Sequence, residues 1–326
     1  MPARGQNNSR KKTRKRSPKP PGVHPPPAPI TKSKRSAPPA VVALAPPPAR
    51  RASFKQADQD VLNTAFAAFY HSDGRRRTIS TGRVKRRLYS FMGKGGPGYL
   101  TQAVTKGEFD TLVNQGKVGK DYTVQAQDSS VTNDVALAKG DYFHVISEHY
   151  TGSKADRQAT ARRIIVNVKD QRAALAASHA LAALFTDRSL DPYFRSFKVY
   201  LSATPDPNQK VKYDKLVVYY QRPPGNGPDT VGDQITGALK KAVPETDRDP
   251  KVSAFYAILA PGLAWAQEPK YYLKNVQGSF TESRRDIIAK VIEDNPAVTD
   301  ENAFAVLVED AFQKAGVDPR APHRHL

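Results

Sequence analysis

The chain has 326 residues, no cysteine and a formal net charge of +20. The lack of cysteine excludes disulfides and cysteine-ligated zinc, and no apolar run approaches the roughly 20 residues that span a bilayer. The charge is uneven: residues 1–52 contain 13 Lys and Arg and no acidic residue, and the remaining 38 Lys and Arg are set against 31 Asp and Glu. Most of the basic character therefore belongs to the N-terminal segment and does not decide the function of the rest.

Residues 1–52 alternate basic clusters with proline runs. Such a composition buries no core and predicts a disordered, basic, Pro-rich tail. No apolar segment follows the basic start, so we expect no conventional secretory signal. The tail suits an arm for nucleic acid or a membrane surface, a localisation or export segment, or a solvated linker.

Helical periodicity dominates before the middle of the chain. A glycine-rich run at residues 93–98 looks like a phosphate-binding loop, but it lacks the Gly-Lys-Ser/Thr ending and follows no strand, which indicates a turn. We predict helices over residues 54–72, from about 81 to 91 and over 105–114, and one strand with a loop over residues 117–134.

The stretch from residue 141 to 221 predicts strand, strand, helix, strand, strand, because short β-branched and aromatic runs are bounded by Gly, Pro, Asp or Asn. The predicted strands cover residues 141–147, 162–168, 197–202 and 215–220, and the helix covers 171–186. Each strand has a cationic or imidazole side chain at or near its start: His144, Arg162, Arg163, Lys198 and Lys215. Several such donors on one sheet indicate a site for phosphate or another anion.

The C-terminal third returns to helices. Ser279 or Thr281 with Glu282 forms a capping-box-like start for one of them. We predict helices over residues 230–242, 279–295 and 299–315, a strand over 251–259 and a loop around Trp265. Strands in the middle with helices on either side predict an α+β fold with a largely antiparallel central sheet flanked by helices. We expect one domain over residues 53–318 and a short tail over 319–326.

Common catalytic motifs are missing from the sequence. It has no His-Glu-x-x-His motif, no dinucleotide-binding glycine fingerprint and no triad that spacing specifies. His144 and His149 would point to opposite faces of a strand, which argues against a shared metal. We expect neither a metal nor a cofactor.

Four segments occur in an order that resembles a known family: Asp141-Tyr-Phe-His-Val-Ile, Arg163-Ile-Ile-Val-Asn-Val, Phe197-Lys-Val-Tyr and Asp214-Lys-Leu-Val-Val-Tyr-Tyr. The chain resembles the HopA-type family of bacterial type III effectors over roughly residues 55–315. That family includes proteins encoded beside lanthipeptide precursors, which act as lyases on phosphorylated Ser and Thr. It is distantly similar to the phosphothreonine lyase effectors, which remove phosphate by β-elimination.

The resemblance implies a phosphorylated peptide or protein as substrate, a kinase or a secretion chaperone as partner, and no cofactor. It implies either a cytoplasmic biosynthetic enzyme or an effector that is secreted into a host cell by a type III-like route. It also implies roles for residues. His144, in Tyr142-Phe-His144, matches the lyase acid, and Arg163 stands where the lyases have the catalytic Lys.

Arginine is a poor base because its pKa exceeds about 12. Lys198, in Phe197-Lys-Val, matches another lyase segment and takes the base role if burial lowers its pKa. Their places at strand starts make Arg162 and Lys215 candidates for phosphate binding, and the resemblance adds, by a loose match, Arg284 or Arg285. If these roles hold, His144, Arg163, Lys198 and one of the two C-terminal arginines converge on one concave surface.

Two alternatives stay open. Arg163 in place of Lys favours a non-catalytic effector or interaction protein on the same fold, and each of the named side chains also fits a purely structural role. The second alternative is that residues 1–52 bind nucleic acid. Such binding would depend strongly on the salt concentration.

Overall fold

The computed structural model describes residues 50–93, 95–273 and 278–326. The predicted disordered tail therefore lies almost entirely outside the described residues. Within them, helices surround a central seven-stranded sheet in which every pair of neighbouring strands is antiparallel. This confirms the predicted α+β fold.

The sheet has the strand order β1-β2-β4-β5-β3-β7-β6. Strand β3 thus lies between β5 and β7, which places the first residues of β3 beside the end of β7. The strands are β1 (Tyr122–Ala126), β2 (Asp141–Ser147), β3 (Ala161–Val166), β4 (Phe194–Leu201), β5 (Leu216–Gln221), β6 (Ala257–Ala260) and β7 (Leu263–Gln267).

Eight α-helices surround the sheet in the described part of the chain, and none of them is long and apolar enough to cross a membrane. They are α1 (Gln56–Phe69), α2 (Thr81–Met92), α3 (Lys106–Gly119), α4 (Asn133–Lys139), α5 (Gln171–Ala183), α6 (Thr230–Ala242), α7 (Phe280–Asp294) and α8 (Glu301–Lys314).

Both faces of the sheet are covered. Helices α3, α5 and α6 pack on one face, against residues such as Ile164 and Val218. Helices α1, α2, α7 and α8 pack on the other, against Ile165 and Val217. Because strand side chains alternate between faces, this explains why the strands are apolar on both sides. A charged side chain on either face must find a partner or a cavity.

The structure differs from the predicted elements mainly after residue 250. The segment around Trp265, predicted as a loop, is strand β7, and the predicted strand over residues 251–259 is reduced to β6. Strand β7 has the sequence Leu-Ala-Trp-Ala-Gln, which carries no β-branched residue. Its pairing with β3, where Trp265 lies opposite Ile164, supplies what the local sequence lacks. Gly262, at φ 73°, makes the turn before it.

Candidate active site

Strand register places three of the predicted site residues on one face of the sheet. His144 of β2 lies directly opposite Lys198 of β4, and Arg163 of β3 lies opposite Tyr219 of β5. Residues that face each other across an antiparallel pair share a face, with Cβ atoms about 5 Å apart. This is the face covered by α1, α2, α7 and α8, so His144, Lys198 and Arg163 belong to one layer of the protein.

A cavity of about 250 Å³ opens at the end of the sheet where β3 begins and β7 ends. His144 lines it, together with residues from the loop after β2, the start of β3, the segment after β7 and the first residues before α7. Its charged lining, within the described residues, consists of one carboxylate and five cations: Glu268, Arg157, Arg162, Arg163, Arg195 and Lys270. The excess of cations gives the cavity a positive potential.

Arg163 is fixed by a buried ion pair. Its Nε and Nη2 atoms donate to the two carboxylate oxygens of Glu268, with 2.8 Å between Nη2 and Oε2. Both residues are only 5 % exposed. Burial opposes the charged guanidinium, but the Glu268 carboxylate outweighs it and raises the pKa of Arg163 well above its usual value. Arg163 therefore stays charged and does not accept a proton.

Arg162 points to the opposite face, as the strand alternation requires. It pairs with Asp229, the N-cap residue of α6, and its guanidinium lies 4.5 Å from the ring centre of Trp265. Asp229 also accepts a hydrogen bond of 2.8 Å from the Tyr220 hydroxyl. The charge of Arg162 is thus compensated, although the residue belongs to the cavity lining.

Arg157 belongs to the loop between β2 and β3 and is held by neutral acceptors. Its Nε donates to the Tyr271 hydroxyl and its Nη1 donates to the Tyr150 hydroxyl, each over 3.0 Å. No carboxylate among the described residues pairs with it. Its positive charge is therefore available to a ligand.

Arg195 and Lys270 are the other two cations of the cavity whose charge no carboxylate of the described residues compensates. Arg195 is the extra residue of a β-bulge in β4, and such bulges redirect a side chain out of the strand alternation. Its guanidinium lies 5.5 Å from the ring centre of Tyr219, and the Lys270 amine lies 5.0 Å from that of Tyr271. In residues 50–93, 95–273 and 278–326, neither cation forms an ion pair or donates a side-chain hydrogen bond.

His144 and Lys198 are half-buried, and their environment favours the neutral form of both. Burial lowers the pKa of His144, and the charges of Lys198 and Arg195 lower it further. Burial also lowers the pKa of Lys198; Asp214 opposes this shift and Arg163 adds to it. The Lys198 amine lies 4.1 Å from the ring centre of Tyr142. Lys198 is thus the neighbour of a cavity residue rather than part of the lining itself.

Lys215 lies at the other end of the sheet. Its amine donates to the Asn167 side-chain oxygen and faces a separate cavity beside Tyr99 and Asp249. Burial lowers the pKa of Lys215 to about 8. The structure therefore does not bring Lys215 together with His144 and Arg163.

The two C-terminal arginines also stay outside the cavity. Arg284 is completely buried in α7 and donates from Nε and Nη2 to the Pro322 carbonyl, over 3.0 and 2.6 Å. Arg285 donates from Nε to Asp286 over 2.8 Å. What α7 contributes to the cavity is its N-terminal end, because Ser279, its N-cap residue, lines the cavity with Gly278.

Several residues of this site escaped the sequence analysis. Arg195 lies two residues before the predicted start of the strand over residues 197–202. It was missed because the sequence analysis considered only cations at the predicted strand starts. Glu268, Lys270 and Tyr271 follow β7, which was predicted to be a loop, and no local pattern marks them. Arg157 lies in a polar loop, where a charged residue is ordinary.

Fold and site together define an α+β protein with a cationic cavity at one end of an antiparallel sheet. The model of the HopA1 effector protein family matches residues 133–324. This range is more than half of the chain, and the chain belongs to the HopA1 effector family. Membership supports an effector-like protein and implies secretion into host cells.

Solved structures agree with this assignment at the level of the fold. An effector protein from Pseudomonas syringae pv. tomato strain DC3000 is similar with a TM-score of 0.56 and 18 % identity, over 83 % of this chain and 99 % of that one. An effector protein from Pseudomonas syringae pv. syringae strain 61 is similar with a TM-score of 0.56 and 14 % identity, over 82 % and 96 % of the two chains. No curated protein is significantly similar in sequence.

Proposed function

We propose that this protein is a phosphoserine/phosphothreonine lyase-like enzyme that acts on a phosphorylated peptide or protein by β-elimination. One observation carries the proposal: three cations without a carboxylate partner in the described chain line a cavity that also contains His144, and Lys198 is the cross-strand neighbour of His144. The resemblance to lyases points to the same chemistry.

The cavity supplies what a phosphate group needs. Arg195 offers a complete guanidinium, which matches the oxygens of a phosphate in a bidentate geometry. The N-terminal end of the 15-residue helix α7 reaches the cavity through Ser279 and leaves the N–H groups of Phe280 and Thr281 outside its capping box. Arg163 contributes little net charge, because Glu268 compensates it, and instead forms a fixed wall of the cavity.

The elimination requires two proton transfers and no attacking water. In this proposal the neutral amine of Lys198, which does not line the cavity itself, reaches past His144 to the bound residue and takes the Cα proton. The electrons of the Cα–H bond form the Cα=Cβ double bond. The Cβ–O bond breaks with its electron pair on the departing phosphate, and His144 gives that phosphate a proton. The products are a dehydroamino acid, inorganic phosphate, protonated Lys198 and neutral His144.

The pKa directions fit this assignment when the substrate charge is included. Burial lowers the pKa of Lys198, which increases the neutral fraction that a base needs. The pKa of His144 is lowered in the cavity without ligand. A phosphate dianion beside the imidazole favours its protonated form, and the protonated imidazole then offsets the effect of the dianion on the neighbouring Lys198. We therefore expect His144 to take up its proton as the substrate binds.

The test uses the purified protein and a synthetic phosphothreonine peptide, with a candidate kinase partner supplied for unphosphorylated substrates. The expected product has lost phosphoric acid and carries a dehydroamino acid, which mass spectrometry detects. His144→Ala and Lys198→Ala should abolish this product, and Lys241→Ala, an exposed lysine on α6, should not. If the wild-type protein removes no phosphoric acid from any such substrate, the proposal is wrong.

A second candidate is a non-catalytic effector that binds partners through the same fold. The observation that favours it is Arg163, which occupies the position of the lyase Lys and is locked to Glu268. If His144→Ala and Lys198→Ala preserve the biological effect of the protein in a host cell, this second candidate replaces the first.

A further inference from the structure

The positive charge of the cavity exceeds what one phosphate neutralises. Arg162 and Arg163 are paired with Asp229 and Glu268, so they add no net charge. Arg157, Arg195 and Lys270 have no carboxylate partner in the part of the chain that the structure describes. A phosphate monoester carries close to two negative charges at neutral pH. One of the three cations is then left without a counter-charge.

Arg157, Arg195 and Lys270 all act on Tyr271. Tyr271 is hydrogen bonded to Arg157 and follows Lys270 in the short helical turn after β7. Burial alone would raise the pKa of Tyr271, but the charges of Lys270, Arg157 and Arg195 together lower it. The three positive charges therefore act together on the part of the cavity that Tyr271 lines.

The three cations differ in position along the cavity. Arg195, in the bulge of β4, lies 5.5 Å from the ring centre of Tyr219 on the sheet, whereas the Lys270 amine lies 5.0 Å from that of Tyr271 in the turn after β7. Lys270 is exposed, whereas Arg195 is half-buried. Lys270 is thus the more solvent-exposed of the two, within reach of groups that flank a ligand bound in the cavity.

We propose that the cavity selects acidic phosphopeptides, in which a carboxylate or a second phosphate lies beside the phosphorylated residue, and that Lys270 binds this second anionic group. The inference rests on the proposed function, because it assumes that a phosphorylated side chain fills the cavity. It extends that function to the sequence around the phosphorylated residue.

The experiment measures binding with a peptide that cannot react. A phosphonate analogue of phosphothreonine has carbon in place of the bridging oxygen and loses no phosphate. Three fluorescent peptides carry this analogue next to Ala, next to Glu and next to phosphoserine, and a fourth carries unmodified Thr next to Glu. Dissociation constants are measured by fluorescence anisotropy at one ionic strength for the wild type, Lys270→Gln and the charge-matched control Lys241→Gln on α6.

We expect the Glu peptide to bind the wild type about fivefold more tightly than the Ala peptide, as one partly exposed ion pair allows, and the phosphoserine peptide to bind more tightly still. Lys270→Gln should remove this preference, because it should weaken binding of the Glu peptide by a larger factor than binding of the Ala peptide. Lys241→Gln should keep the preference.

Two other results overturn the inference and can be told apart. If the Ala and Glu peptides bind the wild type equally but more tightly than the unmodified Thr peptide, or if Lys270→Gln weakens both by the same factor, the second anionic site does not exist and the phosphate site remains. If none of the phosphonate peptides binds more tightly than the unmodified Thr peptide, the proposed function fails as well.

Discussion

The ion pair between Arg163 and Glu268 allows the sharpest prediction. Both side chains are about 95 % buried, and two hydrogen bonds join them. Replacing Glu268 with Gln keeps the size of the side chain and one acceptor but removes the charge. Arg163 is then a buried cation without a counter-charge.

The expected cost is about 3 kcal/mol in the free energy of unfolding. Breaking a buried pair by neutralising one partner costs roughly 3–5 kcal/mol, whereas an exposed pair contributes at most about 1 kcal/mol. We place Glu268→Gln at the lower end of that range, because the amide oxygen of Gln still accepts one hydrogen bond. The double variant Glu268→Gln/Arg163→Met contains neither charge of this buried pair, so it should be more stable than the single variant by about 2 kcal/mol.

Urea denaturation at pH 7, followed by tryptophan fluorescence and circular dichroism, measures these differences. Glu293→Gln, at an exposed carboxylate at the end of α7, is the matched control and should change stability by less than about 0.5 kcal/mol. The reasoning is refuted if Glu268→Gln costs less than about 1 kcal/mol, or if the double variant is no more stable than the single one.

Three further predictions concern single residues. The Asp58 carboxylate accepts a hydrogen bond from the Phe255 N–H, and burial raises the pKa of Asp58 to about 6. A carboxyl group with a raised pKa lowers the free energy of unfolding as the pH rises from about 4 through 6. Asp58→Asn should therefore increase the free energy of unfolding by up to about 3 kcal/mol at pH 7.5 and by almost nothing at pH 3.5. Equal gains at the two pH values in urea denaturation would contradict this. Arg195→Gln should weaken binding of the phosphonate peptide about tenfold, with a change in unfolding free energy below about 0.5 kcal/mol; a large loss of stability would assign Arg195 a structural role. Arg284 is buried against the Pro322 carbonyl without a carboxylate partner in the described residues, so Arg284→Ala should be at least about 2 kcal/mol less stable than Arg284→Met, which fills the space, and equal stabilities would argue against tight packing around it.

Local signals in the sequence predicted most of the fold. The bounds of β2 follow from a run of β-branched and aromatic residues, and α7 begins where Ser279 and Glu282 form a capping box, as predicted. Strand β7 was missed because its stability comes from pairing with β3 rather than from its own residues. A long-range partner of this kind leaves no trace in a single sequence.

The site was predicted only in part, for a topological reason. Cations at strand starts gather at one end of a sheet only if the strands are parallel. Strands β3 and β5 are antiparallel, so Arg163 at the start of one and Lys215 at the start of the other lie at opposite ends. The partner of Arg163 is Glu268, which lies 105 residues later in the chain, and no spacing rule connects them.

The bond to the Cα hydrogen offers the most direct test of the proposed elimination. The rate of phosphate release is compared for a phosphothreonine peptide and for the same peptide with deuterium at Cα, and the products are weighed by mass spectrometry. Elimination predicts slower release from the deuterated peptide and a dehydroamino acid without deuterium. Equal rates with threonine as the product, still deuterated, would mean hydrolysis and would contradict the roles given to His144 and Lys198.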